Sequence, residues 1–230
     1  MSDDTAPDEA HGEDLVWYAA YGSNLLEARF ACYILGGKPP GGSRKQPGAR
    51  DQSPPLDERA GFCHLPVYFA QRSAQWQGAG VAFLDHEGDA SETTLTRRWL
   101  ITREQFEDVL RQENGDEEAV FDAATLDTVC SEGMADCSPG WYGRVVCLGE
   151  DAGVPVITCT APRPLAEQSP ERPGKLYLQC LIAGIRETFA LTKPAVRKYL
   201  KDLPGIAGLP AAALDKAFDA SDALLSEPEQ

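Results

Sequence analysis

The chain has 230 residues, 43% hydrophobic and 25% charged, which is the make-up of an ordinary globular protein with one good core and room for a small second lobe. Its net charge of −15 argues against a phosphate-backbone partner, and no apolar run approaches the length of a bilayer span. Residues 1–14 hold six carboxylates and no Lys or Arg, leaving −9 on the rest; they predict a disordered acidic arm rather than a signal or transit peptide, and the expected location is cytoplasmic.

The first ordered element is a strand over 15–21, rich in aromatic and apolar residues. Gly22-Ser23-Asn24 follows. Asn24, three residues before Glu27, reads as a capping-box-like start for a helix that carries Leu25, Ala28, Phe30, Cys32, Tyr33 and Leu35 and stops at Gly36-Gly37. Residues 36–61, rich in Gly, Pro and charge, read as a long loop, functional or partly mobile. Strands are expected over 65–70, 80–84 and 93–101. Thr102 with Gln105 forms a second capping box, opening a helix through Glu113 that ends at Asn114-Gly115. A second loop segment spans 116–140. Strands over 142–149 and 154–161 flank an Asp151-Ala152-Gly153 turn, and 162–174, with four prolines, forms a stiff linker. An amphipathic helix runs from Lys175 to about Ala190 with Tyr177, Leu178, Leu181, Ile182, Ile185 and Phe189 on one stripe. Helices from Thr192 to Leu203 and from Pro210 through Leu225 complete the chain. This order predicts a single α+β domain over 15–226: a mixed, mostly antiparallel barrel or curved sheet with surrounding helices, and a helical C-terminal part.

The seven cysteines form no C-x-x-C pair, and most sit in apolar runs, as small buried residues of a reducing compartment. Cys130 and Cys137 flank a Gly/Ser-rich loop and could pair or bind metal, with nothing else in support. Three histidines, His11, His64 and His86, argue against a histidine-rich metal centre.

Glu113 carries the most chemical information. Phe106, Val109 and Leu110 occupy i, i+3 and i+4 of their helix, and Glu113 at i+7 lies about 20° from Phe106 on the apolar face. A carboxylate there is costly unless paired or used, and desolvation would raise its pKa toward neutrality, as suits a group that accepts and returns a proton. The competing reading puts Glu113 at a frayed last turn, with its carboxylate in water. The stretch Tyr21-Gly22-Ser23-Asn24-Leu25 joins a strand to a helix start, where backbone N–H groups can face a carboxylate or developing oxyanion. Alternatively, Gly22 only makes the turn and Asn24 only caps the helix.

Tyr21-Gly22-Ser23-Asn24-Leu25 resembles the signature of the gamma-glutamylcyclotransferase family. Further segments follow in that family's order: Trp76-Gln77-Gly78-Ala79-Gly80-Val81-Ala82, Leu110-Arg111-Gln112-Glu113-Asn114-Gly115, Trp141-Tyr142 and Pro173-Gly174-Lys175-Leu176-Tyr177. The resemblance spans roughly 15–190 and departs where Asn114 separates the glutamate from the glycine. It implies cyclisation of a gamma-glutamyl group to 5-oxoproline, with release of an amine or amino acid. Glu113 would be the general acid/base, residues 21–25 the substrate loop, and Tyr142 and Tyr177 would line the pocket unless they are ordinary core tyrosines. It implies a small-molecule substrate, no cofactor, and neither nucleic acid nor membrane as partner. A non-catalytic binding protein of the same fold is the alternative. A Ser23–His64 hydrolase lacks the G-x-S-x-G elbow, and Gly78-Ala79-Gly80 precedes a strand, which excludes a phosphate loop.

Overall fold

The central strand sets the architecture because it is apolar on both faces. The computed structural model describes residues 15–225; the expected acidic arm over 1–14 and the domain end at 226 lie outside the described residues. Strand β1 (Leu15–Ala20) runs through the middle of a six-stranded sheet, between β5 (Thr94–Thr102), antiparallel to it, and β8 (Val154–Thr160), parallel to it. Beyond β5 lies β2 (Asp57–Cys63); beyond β8 lie β7 (Arg144–Asp151) and β6 (Met134–Asp136), each antiparallel to its neighbour. The pair β3 (Val67–Ser73) and β4 (Ala79–Leu84) stands apart as a two-stranded antiparallel sheet. The sheet is mostly antiparallel and keeps two edges, so of the two expected forms it is the curved sheet and not the closed barrel.

Alternation along β1 sends Trp17 and Ala19 to one face, where they pack with Val156 in a small cluster, and the other buried residues to a large core. Val16, Tyr18 and Ala20 pack with Phe30, Trp99, Phe106, Val109 and Leu110 beneath α1 (Glu27–Leu35) and α2 (Arg103–Asn114). Just past the strand, Tyr21, Leu25 and Leu26 belong to a second core with β3, β4 and α4 (Lys175–Phe189). The end of β1 is therefore the junction of the two cores.

Several expectations hold closely. The capping box of α2 is complete: Gln105 N–H donates to Thr102 Oγ1 at 3.1 Å and Thr102 N–H to Gln105 Oε1 at 3.0 Å. Gly115 ends that helix at φ 60°, and Gly36 ends α1 at φ 78°. Helix α4 starts at Lys175 as expected, and the β7–β8 hairpin turns at Ala152-Gly153.

Other segments differ. The end of the 36–61 loop is β2, whose charged, exposed residues hide the strand pattern because it is a sheet edge. The rest of that loop is tied down by a Gly37–Gln46 bridge and by Arg50 N–H donating to Asp108 at 2.8 Å. Residues 116–140 contain α3 (Ala123–Glu132), capped by Asp122, and then β6. Only Leu126 and Val129 of α3 are buried, too few for a visible stripe. After α5 (Lys193–Leu200), the last helix is broken at buried Ser221 into α6 (Ala211–Ala220) and α7 (Asp222–Leu225), where the Ser221 hydroxyl donates to Phe218 O and accepts from Arg186. All seven cysteines are free, so Cys130 and Cys137 do not pair, and only Cys63, Cys159 and Cys180 are buried. Among the described residues, no helix is long and apolar enough to cross a membrane.

Gly184 fixes how closely α4 approaches the turn after β1. A Cβ there would lie 2.5 Å from Leu26 N and 2.6 Å from Leu25 C, both backbone atoms that cannot rotate away. Gly184→Ala is expected to cost about 1–3 kcal/mol by overpacking, read as a lower urea midpoint at unchanged slope.

Candidate active site

The turn after β1 differs from the expected helix start in a way that matters for chemistry. Residues Ser23–Leu25 form a single 3-10 turn, closed by Leu25 N–H to Gly22 O at 3.1 Å and Leu26 N–H to Ser23 O at 3.2 Å. Helix α1 begins only at Glu27, and its N-cap is Leu26, with no side-chain cap. Asn24 therefore caps nothing. It is 5% exposed, and its Nδ2 donates to Glu113 Oε1 at 2.9 Å, across 89 residues of sequence. Trp99 Nε1 donates to the Asn24 carbonyl at 3.3 Å and holds the turn from behind.

Leu25 is a correction to the expected substrate loop. Its side chain is buried in the second core, it does not line the cavity, and its N–H is used inside the turn. As the start of a 3-10 turn, Ser23 and Asn24 keep N–H groups with no acceptor inside the turn.

The other expected residues converge on one cavity of about 90 Å³, space for about three waters. Its wall includes Tyr21, Gly22, Ser23, Asn24, Glu113, Tyr142 and Tyr177. Tyr21 OH donates to Cys159 O at 2.8 Å, linking the end of β1 to β8. Tyr142 OH donates to Ala82 O at 2.9 Å, and Ala82 N–H donates to Tyr177 OH at 3.0 Å. The two tyrosines thus line the cavity while clamping one residue of β4 from both sides. Burial pushes the Tyr177 phenol up to about 12, so it stays neutral. Gly22 passes so close to Tyr177 that a Cβ would sit 2.8 Å from its hydroxyl.

Glu113 lies on the inner face of α2 and faces the loop. Glu113 is half-buried, and the two fully buried acids of this helix, Glu107 and Asp108, serve as a contrast. Glu107 is paired with Arg50 at 2.7 Å and Arg111 at 2.9 Å and accepts from Phe121 N–H, while Asp108 is held by Arg50 at 2.9 Å. Glu113 makes no ion pair among the described residues. Burial raises its carboxyl above the ordinary value; Tyr33, Arg29 and Asn24 pull it part of the way back. The intervening Asn114 is the last residue of α2. Its side chain donates to Leu110 O at 2.9 Å and accepts from Tyr142 N–H at 2.8 Å, fixing Tyr142 relative to the helix end. Ser73, Gln75, Trp141 and Glu113 also border an outer groove of about 790 Å³, so the carboxylate stands where the inner cavity meets the groove.

Sequence reasoning missed Arg29, Tyr18, Tyr33 and Trp76, all of which line the cavity. Arg29 had a usable signal. Leu26, Arg29, Phe30 and Tyr33 stand at i, i+3, i+4 and i+7, the same pattern that exposed Glu113. The Ser23–His64 pair, already disfavoured by the missing elbow, is not made: His64 is exposed, edge-on to Phe62, and does not line the cavity. Among the described residues there is no group of three or more His, Cys, Asp or Glu placed to hold a metal ion.

No protein-family profile matches the chain. A stretch of 198 residues, 80% of the chain, is 37% identical to histone deacetylase 5 of Arabidopsis thaliana, and the chain spans 30% of the length of that curated relative. In structure the chain is similar to a gamma-glutamyl cyclotransferase and to an uncharacterized protein from Homo sapiens. Each is 11% identical, with a TM-score of 0.47, over 90% of this chain and 99% of the other.

Proposed function

We propose that the chain is a cyclotransferase that converts a gamma-glutamyl group to 5-oxoproline with release of an amine or amino acid, using Glu113 as general acid and base. The observation that carries this reading is a carboxylate without an ion-pair partner, held by Asn24 against the end of β1 on the wall of a cavity of about 90 Å³ that meets the outer groove.

The chemistry follows from the proton that Glu113 can take. The carboxylate removes a proton from the substrate's α-ammonium group, freeing the amine. The amine attacks the γ-carbonyl carbon of its own chain, forming the C–N bond of a five-membered ring. Negative charge on the carbonyl oxygen is met by N–H groups of the 22–24 turn. Collapse breaks the bond to the leaving nitrogen, which takes its proton from Glu113, and the ring nitrogen gives up its remaining extra proton to the departing amine or to solvent, leaving the neutral lactam. Both reacting groups are on one molecule, so ring closure proceeds with a high effective concentration and asks of the protein chiefly orientation and proton transfer. The outer groove beyond Glu113 would hold the departing amine.

The competing reading, a binding protein without catalysis, would be favoured by a Glu113 turned away from the loop, and the Asn24–Glu113 hydrogen bond lends it no such support. The histone deacetylase name belongs to a protein of which this chain spans 30%, and its activity is not carried over. The test is incubation with gamma-glutamyl amino acids, gamma-glutamyl amines and glutathione, followed by assay of 5-oxoproline. Release from at least one substrate is expected; silence across the panel would leave the binding reading.

A further inference from the structure

Two buried arginines flank the loop, and they are treated differently. Arg97 is 3% exposed and is met by Glu27, Glu58 and Glu187. Arg29 is 2% exposed and lines the cavity, and no carboxylate lies within ion-pair distance of it among the described residues. Its NH1 donates to Pro40 O at 2.5 Å, its guanidinium lies 4.5 Å over the Trp76 ring, and its Nε has no partner. One carbonyl and one aromatic face do not neutralise a buried cation. A second orphan shares the cavity: Asn24 Oδ1 is buried and accepts nothing, while its Nδ2 is spent on Glu113.

The unmet groups are a guanidinium with a free donor and an amide oxygen, and they share one cavity wall with the Glu113 carboxyl. An α-amino acid zwitterion is their complement. Its carboxylate answers Arg29, and its ammonium answers Asn24 Oδ1 and Glu113. In this pose the ammonium proton is presented to the acid that must remove it. Trp76, stacked edge-on to Tyr177 at 4.8 Å, covers the guanidinium and keeps water from competing for it.

We infer that Arg29 binds the free α-carboxylate of the gamma-glutamyl group, so that the site selects substrates whose glutamyl end carries both an unmodified α-amine and an unmodified α-carboxylate. The inference rests on the cyclotransferase reading and adds to it a specificity-determining residue and a substrate class. A charge-assisted contact of this kind contributes roughly 10- to 100-fold in selectivity.

The test changes the ligand before it changes the protein. Binding of 5-oxoproline and of its carboxamide is measured by calorimetry, and turnover is measured for a gamma-glutamyl amine and its α-carboxamide. The wild-type protein is expected to prefer each acid over its amide by roughly 10- to 100-fold. In Arg29→Gln, and in Arg29→Lys should the first variant not fold, that preference is expected to shrink toward one. Equal handling of acid and amide by the wild type overturns the anchor, as does a preference that survives both variants. Turnover without preference thus removes the anchor and keeps the cyclisation. Selective binding of 5-oxoproline without turnover of any substrate keeps the anchor and removes the cyclisation. Absence of both binding and turnover removes both.

Discussion

Glu113→Gln is expected to lower 5-oxoproline release by about 10²- to 10⁴-fold, with KM changed by no more than a few-fold. The amide keeps the side chain's shape, and its Oε1 can still accept from Asn24, but it has no proton to take or return. The split between kcat and KM is the decisive reading. A large rise in KM with kcat intact would mean that Glu113 only binds, and the acid/base would have to be sought elsewhere. Candidates on α2 are poor, because Glu107 and Asp108 are already neutralised by Arg50 and Arg111.

The same substitution should have the opposite effect on stability. Burial raises the folded carboxyl above its ordinary 4.5, so between those two values the folded protein binds more protons than the unfolded chain. The favourable contribution of the neutral group is complete below 4.5 and is lost as pH rises through the folded value. At neutral pH, where the unfolded carboxyl is ionised, burying this group opposes folding. Glu113→Gln is therefore expected to unfold at higher urea than the wild type at pH 7 to 8 and to show no such advantage near pH 4. A constant difference at both pH values would mean that the carboxyl is not desolvated in solution.

Arg97→Met is expected to destabilise the protein by about 2–4 kcal/mol, or roughly 5–15 °C in Tm for a chain of this size. Arg97 joins four elements at the back of the loop. Its NH1 donates to Leu25 O at 3.1 Å and pairs with Glu187 of α4, while the rest of the guanidinium reaches Glu27 of α1 and Glu58 of β2. The guanidinium also stacks 4.1 Å over Trp99, whose indole holds the Asn24 carbonyl. Methionine fills similar volume but leaves the Leu25 carbonyl unpaired and three carboxylates close together without a cation. The carboxylates are partly exposed, so the cost falls short of that for a fully buried triad. Arg97→Lys should recover part of the loss, since an ammonium can hold one or two of the acids but not the fork. A Tm for Arg97→Met within a degree of the wild type would show that the network contributes nothing.

The amino-acid sequence by itself determined those features that a single element carries. The face of α2 follows from the i, i+3, i+4, i+7 spacing of Phe106, Val109, Leu110 and Glu113, and its ends from Thr102, Gln105 and Gly115. The stripe of α4 and the β7–β8 hairpin are legible for the same reason: periodicity and turn chemistry are local. Strand β2 was hidden because an exposed edge has no apolar alternation, and α3 because two buried residues make no stripe. Arg29 was legible by the spacing that revealed Glu113 and was passed over among apolar neighbours. What only the tertiary structure decided is which groups are left without partners. Asn24 reads locally as a helix cap, and it becomes a partner of Glu113 because β1 and α2 are brought together across 89 residues. Glu107 and Glu113 are the same residue type on the same helix, yet one is neutralised by arginines and the other faces a cavity. Partnering depends on contacts far apart in the chain, and the free energy of a buried charge depends on partnering, so the fold and not the local pattern selects the acid that is free to react.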